Sequence, residues 1–162
     1  MMPTGIHFPL DERQPLVLRE YVSLEDYQSA VGGYIEAIDA GVKDLSFFAN
    51  DEAKLIGLAI NRRATLFWWL HLPPARHHDF LSGDVVLVGP TDAHGATRSV
   101  PPSIQTLLFT PSTYQVEITA TGVDGWHHVE PTFDDYFKAA ALAVSLDEQW
   151  SHVSGIRVVT SM

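Results

Sequence analysis

Two tripeptides carry the most promising chemistry in this chain. Asn50-Asp51-Glu52 and Asn61-Arg62-Arg63 together supply amide, carboxylate and guanidinium groups. Arginine forks suit carboxylate or phosphate ligands, so Asn50, Glu52, Asn61, Arg62 and Arg63 are the candidate binding residues. The plainer expectation is a turn stabilised by Asn50 and Asp51. Glu52 would then pair with Arg62 or Arg63 at the surface, a contact worth under ~1 kcal/mol. The eight histidines offer a second chemistry. His77-His78-Asp79, Asp92-Ala93-His94 and His127-His128-Val129-Glu130 each set imidazole beside carboxylate, the donor set of zinc, manganese or non-haem iron. His77, His78, His94, His127 and His128 are therefore candidate ligands of a divalent metal in a small hydrolase. Yet no pair has the i, i+4 spacing of a metalloprotease helix. Adjacent histidines on a strand also point to opposite faces, so exposed loop histidines and no cofactor are the first expectation.

Other motifs are weaker. Gly83 to Gly89 frames Asp84-Val85-Val86-Leu87-Val88 but lacks the lysine and hydroxyl of a phosphate loop. Turn glycines bounding a strand explain it. No Gly-x-Ser-x-Gly elbow is present. The acid pair Asp134-Asp135 suits a helix start, whereas Asp147-Glu148 is mildly unfavourable near a helix end. The run Phe67-Trp68-Trp69 suits core packing or, if it is a strand with its tryptophans on opposite faces, a contact between subunits.

These residues must be positioned by elements that the pattern suggests. Residues 1–15 read as an irregular N-terminal segment. Leu16 to Val22 reads as a strand. Ser23 opens a helix with Asp26 in the reciprocal position of a capping box. Leu24, Tyr27, Val31, Tyr34, Ile35 and Ile38 recur at helical steps, predicting a helix over about 24–40 with Gly41 as its cap. Gly32-Gly33 inside it costs about 2 kcal/mol relative to alanine, which a close helix–strand contact would explain. Leu45 to Ala49 reads as a strand, and Asn50 to Lys54 as a turn. Leu66 to Leu70 is either a buried strand or the end of a helix beginning near Asn61. Further strands are expected at 84–88, 96–100, 114–121 and 156–160, a short helix at 103–109, a loop at 122–131 and a second long helix over about 133–150. The order predicts an α+β fold: a mixed, mainly antiparallel sheet packed by two principal helices, forming one globular domain over 1–162.

Val31-Gly32-Gly33-Tyr34-Ile35, Asn50 to Leu55, Gly57-Leu58, Asn61-Arg62-Arg63-Ala64-Thr65 and Gly83 to Gly89 follow one another in a distinctive order. On these motifs the stretch from roughly 21 to 108 resembles an uncharacterised family of phages and plasmids, domain of unknown function 3846. The resemblance implies an accessory protein of a mobile element acting in a bacterial cytoplasm, and it implies no activity.

The charge balance bears on partners. Twenty Asp and Glu face ten Lys and Arg, giving a net charge of -10, a field that repels phosphate backbones and disfavours nucleic-acid binding. With no cysteine, disulfides and thiolate chemistry are excluded. No apolar run reaches the ~20 residues that span a bilayer, and no basic-then-apolar leader opens the chain. The functional expectation is acidic protein–protein binding to a host factor, in the manner of a DNA mimic or antirestriction protein. The alternatives are the metal-dependent hydrolase and an oligomeric assembly protein using Trp68 and Trp69.

Overall fold

The computed structural model describes residues 2–42 and 44–161. It forms two compact units, Met1–Pro102 and Ser103–Met162. The class is α+β, with two antiparallel sheets and four helices among the described residues.

In the first unit β1 (Thr4–Phe8), β2 (Val17–Glu20), β3 (Ile35–Asp39), β4 (Ser46–Asn50) and β5 (Val85–Val88) form one sheet in the order β2-β1-β5-β4-β3. Every pairing is antiparallel. The central strand is last in sequence, and all four of its residues are buried. An uninterrupted Val-Val-Leu-Val run suits such a place, because both faces of the strand are covered. Register sorts the side chains. Ile6 and Phe47 both sit opposite Leu87, and this face receives α2 (Arg62–His71). Phe8, Phe47 and Phe67 meet there edge to face, with centroids 5.6 to 6.2 Å apart. The opposite face carries Val86 and Val88, which pack with Tyr21, Tyr27 and Val31. Tyr21 stacks on Tyr27 at 4.4 Å, and Tyr27 meets Phe48 edge-on at 4.9 Å. The helix that supplies Tyr27 is α1 (Leu24–Val31). The Asp26 carboxylate accepts the N–H groups of Val22 and Ser23 at 2.6 and 3.2 Å, the return half of the expected capping box.

The helix expected over 24–40 stops at Val31. Gly32 takes the left-handed conformation (φ 78°) and its N–H donates to the Gln28 carbonyl at 2.8 Å, an ending that glycine adopts without steric cost. Ile35 and Ile38, read as part of a helical stripe, instead lie on β3 and face opposite sides of the sheet. Pairing with β4 outweighs the helical spacing. The N-terminal segment expected to be irregular contains β1, bracketed by Pro3 and Pro9. Phe67-Trp68-Trp69 is helical. Trp68 is buried and its indole N–H donates to the Asp39 carbonyl; that of Trp69 donates to the Asp79 carbonyl, both at 2.8 Å. The return strand expected at 96–100 is reduced to a single bridge, Thr91 to Thr97.

In the second unit β6 (Thr113–Ala120) lies between β7 (His127–Phe133) and β8 (Val153–Ser161). The second half of the expected loop at 122–131 is thus strand, because His127, His128 and Val129 pair with Ile118, Glu117 and Val116. The short helix is α3 (Pro102–Phe109) and the long one α4 (Tyr136–Gln149). Asp135 caps α4 by accepting the Lys138 N–H at 3.0 Å. Ala139, Ala140 and Ala143 are fully buried on α4, and their small side chains let the helix lie close against the sheet. No helix among the described residues is long and apolar enough to cross a membrane.

Candidate functional site

The five candidate binding residues divide into a structural set and a surface set. Asn50 ends β4 and is buried. Its Oδ1 accepts the Glu52 N–H at 2.9 Å and its Nδ2 donates to the Val31 carbonyl at 3.3 Å, tying the turn to the end of α1. Asn61 is 1% exposed. Its Oδ1 caps α2 at the Ala64 N–H (3.1 Å), while Nδ2 donates to the carbonyls of Phe8 and Gly83, both at 2.9 Å. One amide therefore joins β1, the approach to β5 and α2. Arg63 is buried and its Nη2 donates to the carbonyls of Pro9 and Asp11 at 2.7 and 3.2 Å. Arg62 points to solvent and grips Glu12 through Nε and Nη2 at 3.1 and 2.7 Å. That hydrogen-bonded guanidinium holds the Glu12 carboxyl below the usual range. The expected partner, Glu52, is exposed elsewhere on the turn, so the pairing of Glu52 with Arg62 is replaced by one with Glu12. The N-terminal loop folds back over the start of α2 and presents Glu12 to it.

Beside the turn lies a cavity of about 380 Å³, and of the five residues Asn50 alone lines it. Its walls come from four places. Strand β3 contributes Glu36 and Ile38, which share the α2 face because they stand opposite Ala49 and Phe47. The turn contributes Asp51, Ala53, Lys54 and Leu55, while Trp68 on α2 and the segment 79–82 close the far side. Lys54 pairs with Asp79 and sits 4.7 Å over the Phe80 ring. Burial pushes the Asp79 carboxyl up, but the Lys54 ammonium and the Phe80 N–H outweigh it and hold it below the usual range. Ser82 is 3% exposed, and its Oγ has no hydrogen-bond partner among the described residues. Glu36 and Asp51 are exposed and pair with no cation among the described residues. Sequence reasoning passed over this cavity because it read β3 as helix, which hides the placement of Glu36. Lys54 and Asp79 were visible as turn and histidine-cluster residues, but nothing in their spacing links them.

The histidines are dispersed. His77 is exposed, adopts a positive φ of 62° and packs against the Trp69 ring at 4.8 Å. His78 and His94 are exposed in turns. In the second unit the His127 ring meets the Asp124 carbonyl at 3.1 Å and His128 meets Glu130 at 3.0 Å. Among the described residues, no three His, Asp or Glu side chains gather as a metal ion would need. The imidazole in closest register with a carboxylate is His7, whose Nε2 lies 2.8 Å from Asp84.

Fold and site together define an α+β protein whose first unit is a five-stranded antiparallel sheet between two helices, with an acid-rimmed cavity at its β3 edge. Residues 7–111 match the model of the family described as Domain of unknown function (DUF3846), and the chain belongs to that family. The match starts earlier than the resemblance at 21–108 and takes in β2 and the last two residues of β1. No curated protein and no solved structure matches the chain.

Proposed function

We propose that this protein acts by binding a partner polypeptide through the surface around the β3-edge cavity. The observation that carries this reading is the coincidence of exposed apolar side chains with unneutralised carboxylates. Leu55 is 87% exposed on the cavity rim, Ile56 beside it 57%, and Phe80 across the cavity 37%. Apolar side chains this exposed and this close together are typical of surfaces that meet another protein. Glu36 and Asp51 flank them, and the chain as a whole carries a net charge of -10. A partner of apolar and basic character is complementary to both features. Such a partner is a host factor, and one that handles DNA fits the charge, since the acidic surface would then compete with nucleic acid. An accessory role for a bacterial mobile element, in the cytoplasm, is the setting this reading suits.

The test is a photo-crosslinking residue at position 55, applied in nuclease-treated bacterial lysate at moderate salt, with the adduct identified by mass spectrometry. The expected result is one dominant adduct that weakens as salt rises and disappears with Ile56→Asp. Charge reversal at Glu25, Glu36 and Asp39, all exposed, is expected to weaken it too. Capture that ignores salt and those reversals would sink the acidic-binding reading.

A further inference from the structure

We propose that the β3-edge cavity receives the guanidinium side chain of an arginine from the partner. This rests on the binding reading above and gives it a chemical anchor. Three observations specify the occupant. First, the cavity carries uncompensated negative charge: Glu36 and Asp51 have no ion-pair partner among the described residues, while Lys54, its cationic side chain, is already held by Asp79. An anion is therefore repelled and a cation attracted. Second, Ser82 is a lining residue of the cavity, and its buried hydroxyl has no hydrogen-bond partner among the described residues. A buried polar atom left unpaired is costly, and a guanidinium is a planar set of five N–H donors. One edge can donate to Ser82 Oγ while the other meets the carboxylates. Third, Trp68, Leu81 and Phe80 supply apolar walls, which match the hydrocarbon stem and flat face of an arginine. An ammonium offers the charge without the planar fork, so arginine is favoured over lysine. A volume of about 380 Å³ holds one such side chain with room for water.

The test uses the full-length protein and short blocked peptides containing arginine, lysine or citrulline at one position, titrated into ¹⁵N-labelled protein by NMR. Citrulline keeps the shape of arginine and removes its charge. The expected result is that the arginine peptide shifts the amides of 49–55 and 79–82, with the lysine peptide weaker and citrulline silent. Free agmatine is the second arm: agmatine binding more tightly than the peptide would assign the cavity to a free small cation and overturn the peptide assignment. Glu36→Gln and Asp51→Asn, both at exposed positions that leave the fold intact, should each weaken the arginine peptide about tenfold, as expected for a charge-assisted contact. Ser82→Ala should weaken it severalfold while leaving the unliganded spectrum of the core in place. Equal binding of citrulline and arginine, or affinity unchanged in the Glu36→Gln/Asp51→Asn pair, would overturn the inference. Because no partner is needed, its failure is separable from that of the binding reading. A crosslinked partner at position 55 with no arginine response removes the anchor and keeps the surface. An arginine response with no crosslinked partner keeps the anchor and removes the surface.

Discussion

Gly33 lies directly against the side-chain amide of Asn50: a Cβ added at Gly33 would stand 2.8 Å from the Asn50 Nδ2. That amide cannot move aside freely, because its two ends are committed to the Glu52 N–H and the Val31 carbonyl. The Gly32-Gly33 pair thus has two separate jobs. Gly32 turns the chain out of α1, and Gly33 lets β3 start against the end of β4.

Gly33→Ala should therefore destabilise the first unit by about 1–3 kcal/mol, the usual cost of forcing a methyl into a packed place. The diagnostic is a double-mutant cycle. In an Asn50→Ala background the added methyl meets no amide, and its cost should fall below about 1 kcal/mol. Urea unfolding of the four proteins measures this, and additive costs would show that the contact is not the cause.

How much of this was legible in the sequence follows from where tertiary pairing intervenes. The capping box at Ser23 and Asp26 and the strand at 84–88 could be read because each is specified by a few neighbouring residues, whereas the segment after Asn61 stays open between strand and helix. The helix over 24–40 could not be corrected from sequence. Ile35 and Ile38 fit a helical stripe, and it is pairing with β4 that makes them strand. The same misreading concealed the cavity, since Glu36 faces α2 through the alternation of a strand. The resemblance found the family, and residues 50–63 hold much of the first unit together, but the groups that line the cavity with Asn50 come mostly from segments that are remote in sequence. Distances such as that between Lys54 and Asp79 are set by the fold and leave no spacing to read.

Adjacent arginines should behave differently. Arg62 makes a two-bond ion pair with Glu12 in which both side chains are about half exposed. Solvent screens such a pair, so Arg62→Ala should cost under ~1 kcal/mol and the loss should vanish at high salt. Arg63 is buried and donates to two backbone carbonyls of the N-terminal loop. Arg63→Ala leaves those carbonyls without their donor and should cost about 2–3 kcal/mol at any ionic strength. Denaturant midpoints at low and high salt distinguish the two.

Asn61 should be the least replaceable of the candidate residues. Asn61→Ala removes the cap of α2, worth about 1 kcal/mol, and also takes both donors from the Phe8 and Gly83 carbonyls, each about 1–3 kcal/mol if left dry. Asn61→Ser restores a capping oxygen but cannot reach two carbonyls, so it should recover about 1 kcal/mol of the loss and no more. Full recovery by serine would mean that the amide's value lies in the cap alone. Hydrogen exchange at the β1 and β5 amides is the sensitive measurement, because these strands lose their shared tie.

Alkaline pH should loosen the α1 face of the sheet. Burial pushes the Tyr21 phenol up to about 12 from its ordinary value near 10, and burial raises Tyr27 as well. The folded state then keeps these protons while the unfolded chain begins to lose them near pH 10. The unfolded state binds fewer protons throughout this window, so stability falls as pH rises from 10 towards 12 and is fully present below 10. Neither hydroxyl has a hydrogen-bond partner among the described residues, so no hydrogen bond seen there is lost when one is deleted. Tyr21→Phe should keep the 4.4 Å stack on Tyr27 and match or exceed the parent by up to about 1 kcal/mol at pH 7. It should also make the alkaline decline shallower, without abolishing it, since Tyr27 still titrates. Urea midpoints at pH 7, 10 and 11 test both halves. A substantial loss at pH 7 would mean that the Tyr21 hydroxyl makes a stabilising hydrogen bond in the folded protein.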